Sequence, residues 1–306
     1  MRRILLWMAG NRWLRERIPR LPFARKAVLR FMPGEDLDSA LHAAARFREQ
    51  GISAALTRLG ENITRIAESD EVAAHYVGVI DRVATDGLDA EVSVKPTQLG
   101  LDLDEERTFA HVRRLAERSA VGGHTLWIDM EGSAYTERTV AMYERLKRTS
   151  PNVGVCLQAY LRRTADDLRR LLPLSPAVRL VKGAYAEPDA IAFQSRADVD
   201  RSFSDLARAM LEAKRDGATI RIALGTHDVR LIEEAATHAA SIGLPKTAVE
   251  VQMLYGIRAD QQRRLAGEGF PVRDLICYGA AWYPWYMRRL AERPANVLFA
   301  LRQLLP

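Results

Sequence analysis

The chain has 306 residues, 48% of them hydrophobic and 27% charged, a balance that excludes intrinsic disorder and supplies enough apolar material for one large core. Its net charge of +6 is concentrated at the start, where residues 1–34 hold nine arginines and lysines against Glu16 alone. No nucleic-acid recognition motif accompanies that charge, and no apolar run approaches the ~20 residues of a membrane span.

In chain order, residues 1–50 read as two or three helices interrupted by Pro19, Pro22 and Pro33-Gly34. Within the first thirty or so, Ile4, Leu5, Trp7, Met8, Trp13 and Leu14 mix with arginines, which suits either a solvated arm or a helix lying on an anionic membrane surface. The run 4–10 has no convincing cleavage site after it, so a secretory signal is not expected. Asp36-Leu37-Asp38 opens an amphipathic helix with Leu41, Ala45 and Phe47 on one side. A first strand at 52–59 follows, its apolar run broken by Thr57-Arg58.

From there the alternation is regular. Helices are predicted at 69–87, 104–119, 135–149, 164–172, up to about 215, 228–242, 258–268 and 283–292, with a further one from Pro294 through Leu305. Strands fall between them at 91–95, 125–129, 153–158, 177–182, 219–224, 248–254 and 272–278. Thr164-Ala165-Asp166-Asp167 reads as a capping box, and the longest connection is 183–200. Strands separated by helices predict a parallel sheet, and eight units predict an α/β fold of the closed (β/α)8 TIM-like class. The expected organisation is a basic helical arm over 1–50, a barrel over 51–306 and a C-terminal helix carrying site residues. No Gly-x-Gly-x-x-Gly follows a strand, which argues against a Rossmann site. Cys156 and Cys277 lie in apolar strand patterns with no metal-site spacing, and read as buried thiols of a cytoplasmic protein.

Several strands end in polar residues that a strand buried on both faces does not need. Lys95, Asp129, Gln158, Arg179, Lys182, His227 and Gln252 would gather at the C-terminal mouth, where such barrels keep their active sites. Each alone is ordinary solvent-facing polarity. Together, three cations around one carboxylate suit an anionic substrate or a phosphate-bearing cofactor. Arg288 and Arg289 add guanidinium groups on the last helix; the bland reading there is an i,i+4 pair of Arg288 with Glu292. Gly183 permits close backbone approach to a ligand, or is a turn glycine. These residues fit a Schiff-base lysine in an aldolase as well as a ring of groups around a flavin.

The segments Leu59-Gly60-Glu61, Ser93-Val94-Lys95, Ile128-Asp129-Met130-Glu131, Leu157-Gln158-Ala159-Tyr160, Arg179-Leu180-Val181-Lys182-Gly183-Ala184-Tyr185, Thr226-His227, Gln252-Met253-Leu254-Tyr255-Gly256 and 283–296 resemble the flavin-dependent proline dehydrogenases. The resemblance spans about 52–303, and its most specific parts are the Arg-Leu-Val-Lys-Gly-Ala-Tyr run and the Arg-Arg-x-x-Glu helix. It implies FAD in the barrel, oxidation of L-proline to Δ1-pyrroline-5-carboxylate, and electrons passed to a membrane quinone. It further implies that Arg288 and Arg289 clamp the substrate carboxylate beside Lys95, that Glu61 gates the pocket, and that Leu254 and Tyr255 line its floor. Asp129 and Arg179 would be catalytic, with Arg179 near flavin N5. Met130, Gln158, Val181, Lys182, Gly183, Ala184, Tyr185, Thr226, His227, Gln252 and Glu292 would touch FAD. One departure stands out: the family's Tyr-x-Pro-x-Gly is Leu275-Ile276-Cys277-Tyr278-Gly279 here. Tyr278 would reach the substrate only through a register shift. Leu275 keeps open another cyclic imino acid, such as hydroxyproline or an N-alkylated proline, and a flavin-binding protein without turnover is the remaining alternative.

Overall fold

The computed structural model describes residues 2–292, so the expected helix after Pro294 lies outside the described residues. The chain opens with α1 (Arg2–Gly10), α2 (Arg12–Arg17), a 3₁₀ turn at Ile18–Arg20, α3 (Pro22–Val28) and α4 (Leu37–Arg48). That makes four α-helices where two or three were expected. The unforeseen break falls at Gly10-Asn11, where Asn11 caps α2 by accepting the Leu14 N–H at 3.1 Å. Asp36 caps α4 in the same way through the Ser39 N–H at 2.7 Å.

Eight parallel strands then close a barrel: β1 (Ser53–Arg58), β2 (Ala90–Val94), β3 (Leu126–Ile128), β4 (Val153–Gln158), β5 (Ala177–Val181), β6 (Arg221–Gly225), β7 (Val249–Leu254) and β8 (Val272–Tyr278). β8 returns to pair with β1, Leu56 opposite Ile276 and Thr57 opposite Cys277. The outer helices are α5 (Ile66–Thr85), α6 (Glu105–Val121), α7 (Ser133–Lys147), α8 (Thr164–Leu171), α9 (Arg196–Arg215), α10 (Val229–Ser241) and α11 (Ala259–Gly267). The capping box expected at Thr164 does not form. The Thr164 hydroxyl donates to the Gln158 carbonyl at 2.6 Å, and Asp167 pairs with Arg163 instead. α9 starts earlier than the sequence suggested, because Ser195 accepts the Asp198 N–H and caps it there.

The last helix, α12 (Tyr283–Glu292), leaves the ring. α4 packs on β8 and β1, the place a helix following β8 would fill, while α12 packs on α1. Trp282, Tyr283, Trp285, Tyr286 and Met287 share a second apolar cluster with Leu5, Val28 and Met32 of the N-terminal segment and with Leu59 and Cys277 at the strand ends. The C-terminal rim of β1 and β8 is therefore roofed by elements from both ends of the chain.

Inside the barrel the layers are charged rather than aliphatic. Trp127 is fully buried there, and only glycine fits opposite it: a Cβ on Gly154 would stand 2.6 Å from its ring. Arg179 and Arg221 lie over that ring at 4.6 and 5.2 Å, and its indole N–H donates to Glu91 at 2.7 Å. Glu91 also accepts from Arg221 at 2.6 Å, and Glu250 links Arg221 to Arg273 at 2.7 and 3.1 Å. Burial opposes ionisation of Glu91, but Arg273 and Arg221 outweigh it and hold its pKa at about 2. The inward positions of these strands are thus charged, and each charge is matched by another.

Asp274 is the exception. It faces out of β8, is fully buried, and neither carboxyl oxygen has a hydrogen-bond partner among the described residues. Burial pushes its pKa well above the carboxylate range, only partly offset by Gln262. A folded pKa above the unfolded value of about 3.9 means stability that is fully present below that value and lost as pH rises toward the folded pKa. Asp274→Asn removes this loss. Its melting temperature relative to the parent should therefore climb from pH 5 to pH 8 in scanning calorimetry; a pH-independent gap would show that Asp274 ionises normally.

Candidate active site

Three strands bring their polar ends to one point. Period-2 alternation turns Ser93 and Lys95, Asp129, and Arg179 inward from the β2, β3 and β5 segments. Asp129 Oδ1 accepts from the Ser93 hydroxyl at 2.6 Å and from Arg179 Nη1 at 2.9 Å, and Oδ2 faces Lys95 Nζ at 3.3 Å. Lys95 Nζ also reaches Thr57 Oγ1 at 3.4 Å. All three ionisable groups are buried or nearly so. Burial works against each charge, yet Lys95 and Arg179 hold the Asp129 pKa below its ordinary value, and Asp129 raises that of Lys95. Held by Asp129 in this way, Lys95 is favoured as an ammonium over the free amine that a Schiff base requires.

Arg179 is oriented from a second side. Its Nε donates to Gln252 Oε1 at 2.5 Å, and Gln252 Nε2 donates in turn to Glu250 at 2.5 Å. Its Nη2 is buried without a partner among the described residues, as is Gln158 Oε1 on the neighbouring strand β4. A free donor and a free acceptor on adjacent strands fit a planar heteroaromatic ring that carries both functions along one edge.

The mouth is capped by an ion pair. Arg288 makes a two-point contact with Glu61, at 2.5 and 3.3 Å, from α12 to the segment after β1. Its guanidinium lies over the Tyr185 ring at 5.2 Å, and the Tyr185 hydroxyl donates to Glu61 at 3.5 Å. Outside this pair is a cavity of about 350 Å³, walled by Tyr185, Trp285 and Arg288 and by Ala9, Gly10 and Arg15 of the N-terminal segment. Arg289 stacks over Trp285 at 6.0 Å, and the buried Cys277 thiol feels both it and Lys95. Lys95, Asp129, Arg179, Glu61, Arg288 and Arg289 are thus neighbours. Leu254 is in register with Leu275, and the two make an apolar patch beside them.

Other expected contacts are placed differently. Tyr278 keeps its register, so it faces outward, hydrogen-bonding His75 of α5 at 2.8 Å; it does not line the mouth. Tyr255 packs edge-on against Phe47 of α4 rather than on the pocket floor. Tyr185 stands with the Glu61–Arg288 pair rather than among the strand-end groups. Lys182 is engaged by Asp200 at 2.5 Å and Asp228 at 3.1 Å. Gly183 has φ +114, and a Cβ there would strike the Tyr160 ring at 2.2 Å, so packing alone requires glycine. Met130, Val181, Ala184, Thr226 and His227 lie at or just beyond the ends of β3, β5 and β6. The Glu292 side chain lies outside the described residues. Sequence reading gave no role to Ser93, Thr97, Trp127 or Glu250; the strand period that placed Lys95 also placed Ser93, but a serine inside an apolar run carries no further signal.

Residues 40–302 match the family model described as proline dehydrogenase. Proline dehydrogenase 1 of Bacillus subtilis (strain 168) is 34% identical, with 100% of this chain and 99% of that protein covered. The proline dehydrogenase of Deinococcus radiodurans is 35% identical, covering 90% of this chain and 89% of that protein. Among solved structures, proline utilization A from Bdellovibrio bacteriovorus has the same fold, with a TM-score of 0.81 at 22% identity, over 95% of this chain and 38% of that longer one.

Removing one partner from a buried, hydrogen-bonded charge cluster leaves the others uncompensated. Asp129→Ala, which strands Lys95 and Arg179, should destabilise the fold by about 3–5 kcal/mol in urea denaturation. A loss under about 1 kcal/mol would mean that the two cations find other compensation.

Proposed function

The chain belongs to the proline dehydrogenase family, and from that premise we propose that it oxidises L-proline to Δ1-pyrroline-5-carboxylate with FAD held across the ends of β4 to β7. Bound there, FAD supplies the acceptor for the hydride leaving the substrate carbon. The protein's own residues bind, orient and polarise. Arg288 and Arg289 take the substrate carboxylate, a role for which guanidinium geometry is suited. Lys95 adds a fixed positive charge, and because Asp129 keeps it protonated it is not the base that receives the amine proton. Arg179, oriented by Asp129 and Gln252, offers Nη2 to the flavin edge where negative charge accumulates. Gln158 meets the same ring from the next strand, with Met130, Val181, Gly183, Ala184, Thr226 and His227 around it. The observation that carries this reading is the buried Arg179 Nη2, a donor with no acceptor among the described residues. Leu275, beside Leu254, supports a pocket that also accepts a ring-substituted or N-alkylated proline.

We further propose a quinone as electron acceptor and a peripheral position on the inner face of the membrane. No helix among the described residues is long and apolar enough to cross a bilayer. α1 buries Leu5 against α12 but leaves Ile4 62% and Trp7 65% exposed, and Trp13 of α2 is 64% exposed among arginines. Such a face suits an anionic lipid surface.

Two measurements test these readings. The purified protein should show a flavin spectrum that bleaches on anaerobic addition of L-proline; yellow protein indifferent to every cyclic imino acid would sink the assignment of substrate. Replacing Ile4, Trp7 and Trp13 together with serine should weaken binding to anionic vesicles at least about tenfold and slow quinone turnover. Turnover with a soluble dye should stay unchanged, and vesicle binding equal to the parent's would remove the membrane role.

A further inference from the structure

Glu131 lies two residues past Asp129 and is buried to 3% exposure, yet nothing above uses it. Both of its carboxylate oxygens go to one residue. Thr97 N–H donates to Oε2 at 3.0 Å and the Thr97 hydroxyl to Oε1 at 2.5 Å. Thr97 sits in the 3₁₀ turn Pro96–Leu99, directly after Lys95. The same hydroxyl oxygen accepts the Asn62 N–H at 3.1 Å, and the Thr97 carbonyl accepts the Ile63 N–H at 3.4 Å. Asn62 has φ +53, a left-handed conformation that a non-glycine residue keeps only when its surroundings hold it. The residue before Asn62 is Glu61, whose carboxylate grips Arg288.

A chain of contacts therefore runs from the interior to the cap: Glu131 to Thr97, Thr97 to the Glu61–Asn62 turn, Glu61 to Arg288. From the β4 side, Gln158 Nε2 fixes the Met130 and Glu131 carbonyls at 3.1 and 2.9 Å, so the base of the chain does not drift. We infer that Glu131 is a positioning residue that acts through Thr97 to hold the Glu61–Asn62 turn, and so sets how well Arg288 is presented to the substrate carboxylate. This rests on the reading of Arg288 as a substrate-binding group.

The arrangement is also sensitive to protons. Burial pushes the Glu131 pKa up to about 7 against the opposing effect of Thr97. The charged and titratable groups that face it are Glu61, Lys95, Arg288, Tyr135 and Tyr185. The ionised carboxylate accepts charge-assisted hydrogen bonds from Thr97, and these are about twice as strong as neutral ones. The hold on the turn is therefore firm above pH 7 and slackens below it.

The experiment uses full-length enzyme with L-proline, a soluble dye, and the variants Glu131→Gln, Thr97→Val and Thr97→Ser. Glu131→Gln and Thr97→Val should each raise KM for proline about three- to tenfold with kcat within about twofold, the pattern of lost binding rather than lost chemistry. Thr97→Ser, which keeps the hydroxyl, should restore the parent KM. The parent KM should rise as pH falls through about 7, and that rise should vanish in Glu131→Gln. A second readout needs neither flavin nor substrate: amide hydrogen exchange at Asn62 and Ile63 should speed about tenfold in Thr97→Val. Unchanged exchange there overturns the inference even if activity falls. Faster exchange with unchanged KM overturns the link to Arg288 while leaving the assigned reaction intact. Failure of the parent itself to oxidise proline strikes the functional reading instead, and exchange then decides the positioning role alone.

Discussion

Asp129 is the hinge of the electrostatic design. Two cations face it inside the barrel, and each would be an uncompensated buried charge without a carboxylate within hydrogen-bond reach. Because Asp129 is ionised, Lys95 stays an ammonium and Arg179 keeps one orientation, with Ser93 and Gln252 completing its fork. The position of Nη2, the guanidinium nitrogen left without a partner among the described residues, follows from these contacts. The group that compensates the charges also aims them.

The same logic extends through the barrel. Trp127 stands between Arg179 and Arg221, and the far side of its ring belongs to a lattice of Glu91, Glu250, Arg221 and Arg273. Gln252 joins the two layers, holding Arg179 with one end and Glu250 with the other. An aliphatic core would pack as densely, but it could not orient a guanidinium. The roof is organised differently. There the ion pair Glu61–Arg288 spans elements distant in sequence, beside the apolar packing of α12 on α1.

Much of this was legible in the sequence. All eight strands and the helices between them follow from hydrophobic period and from turn residues, because each strand is short, apolar on its outer face and bounded by polar connections. The inward cluster of Lys95, Asp129 and Arg179 was legible for the same reason: each interrupts a pattern that has no other use for charge. What escaped depends on tertiary neighbours. Tyr278 and Leu275 are three residues apart and face opposite sides of β8, so the compensation imagined for Tyr278 would need a slipped register that the pairing with β1 forbids. Thr97 and Glu131 look like ordinary loop residues until the turn that carries Glu61 is seen hooked on them. Asn11 was passed over because a six-residue helix leaves too short a period to detect.

α4 occupies the place in the outer ring that would fall to a helix after β8, although it precedes β1 in the chain. The ribosome therefore makes this helix first and its docking surface last. Until β8 has been synthesised, the apolar side of α4 around Leu41 and Ala44 has only half its seat, and β1 has an unpaired edge. Closure joins segments at opposite ends of the polypeptide, the kind of long-range contact that slows folding. The nascent protein thus stays open through most of translation, with a sticky edge for chaperones to shield.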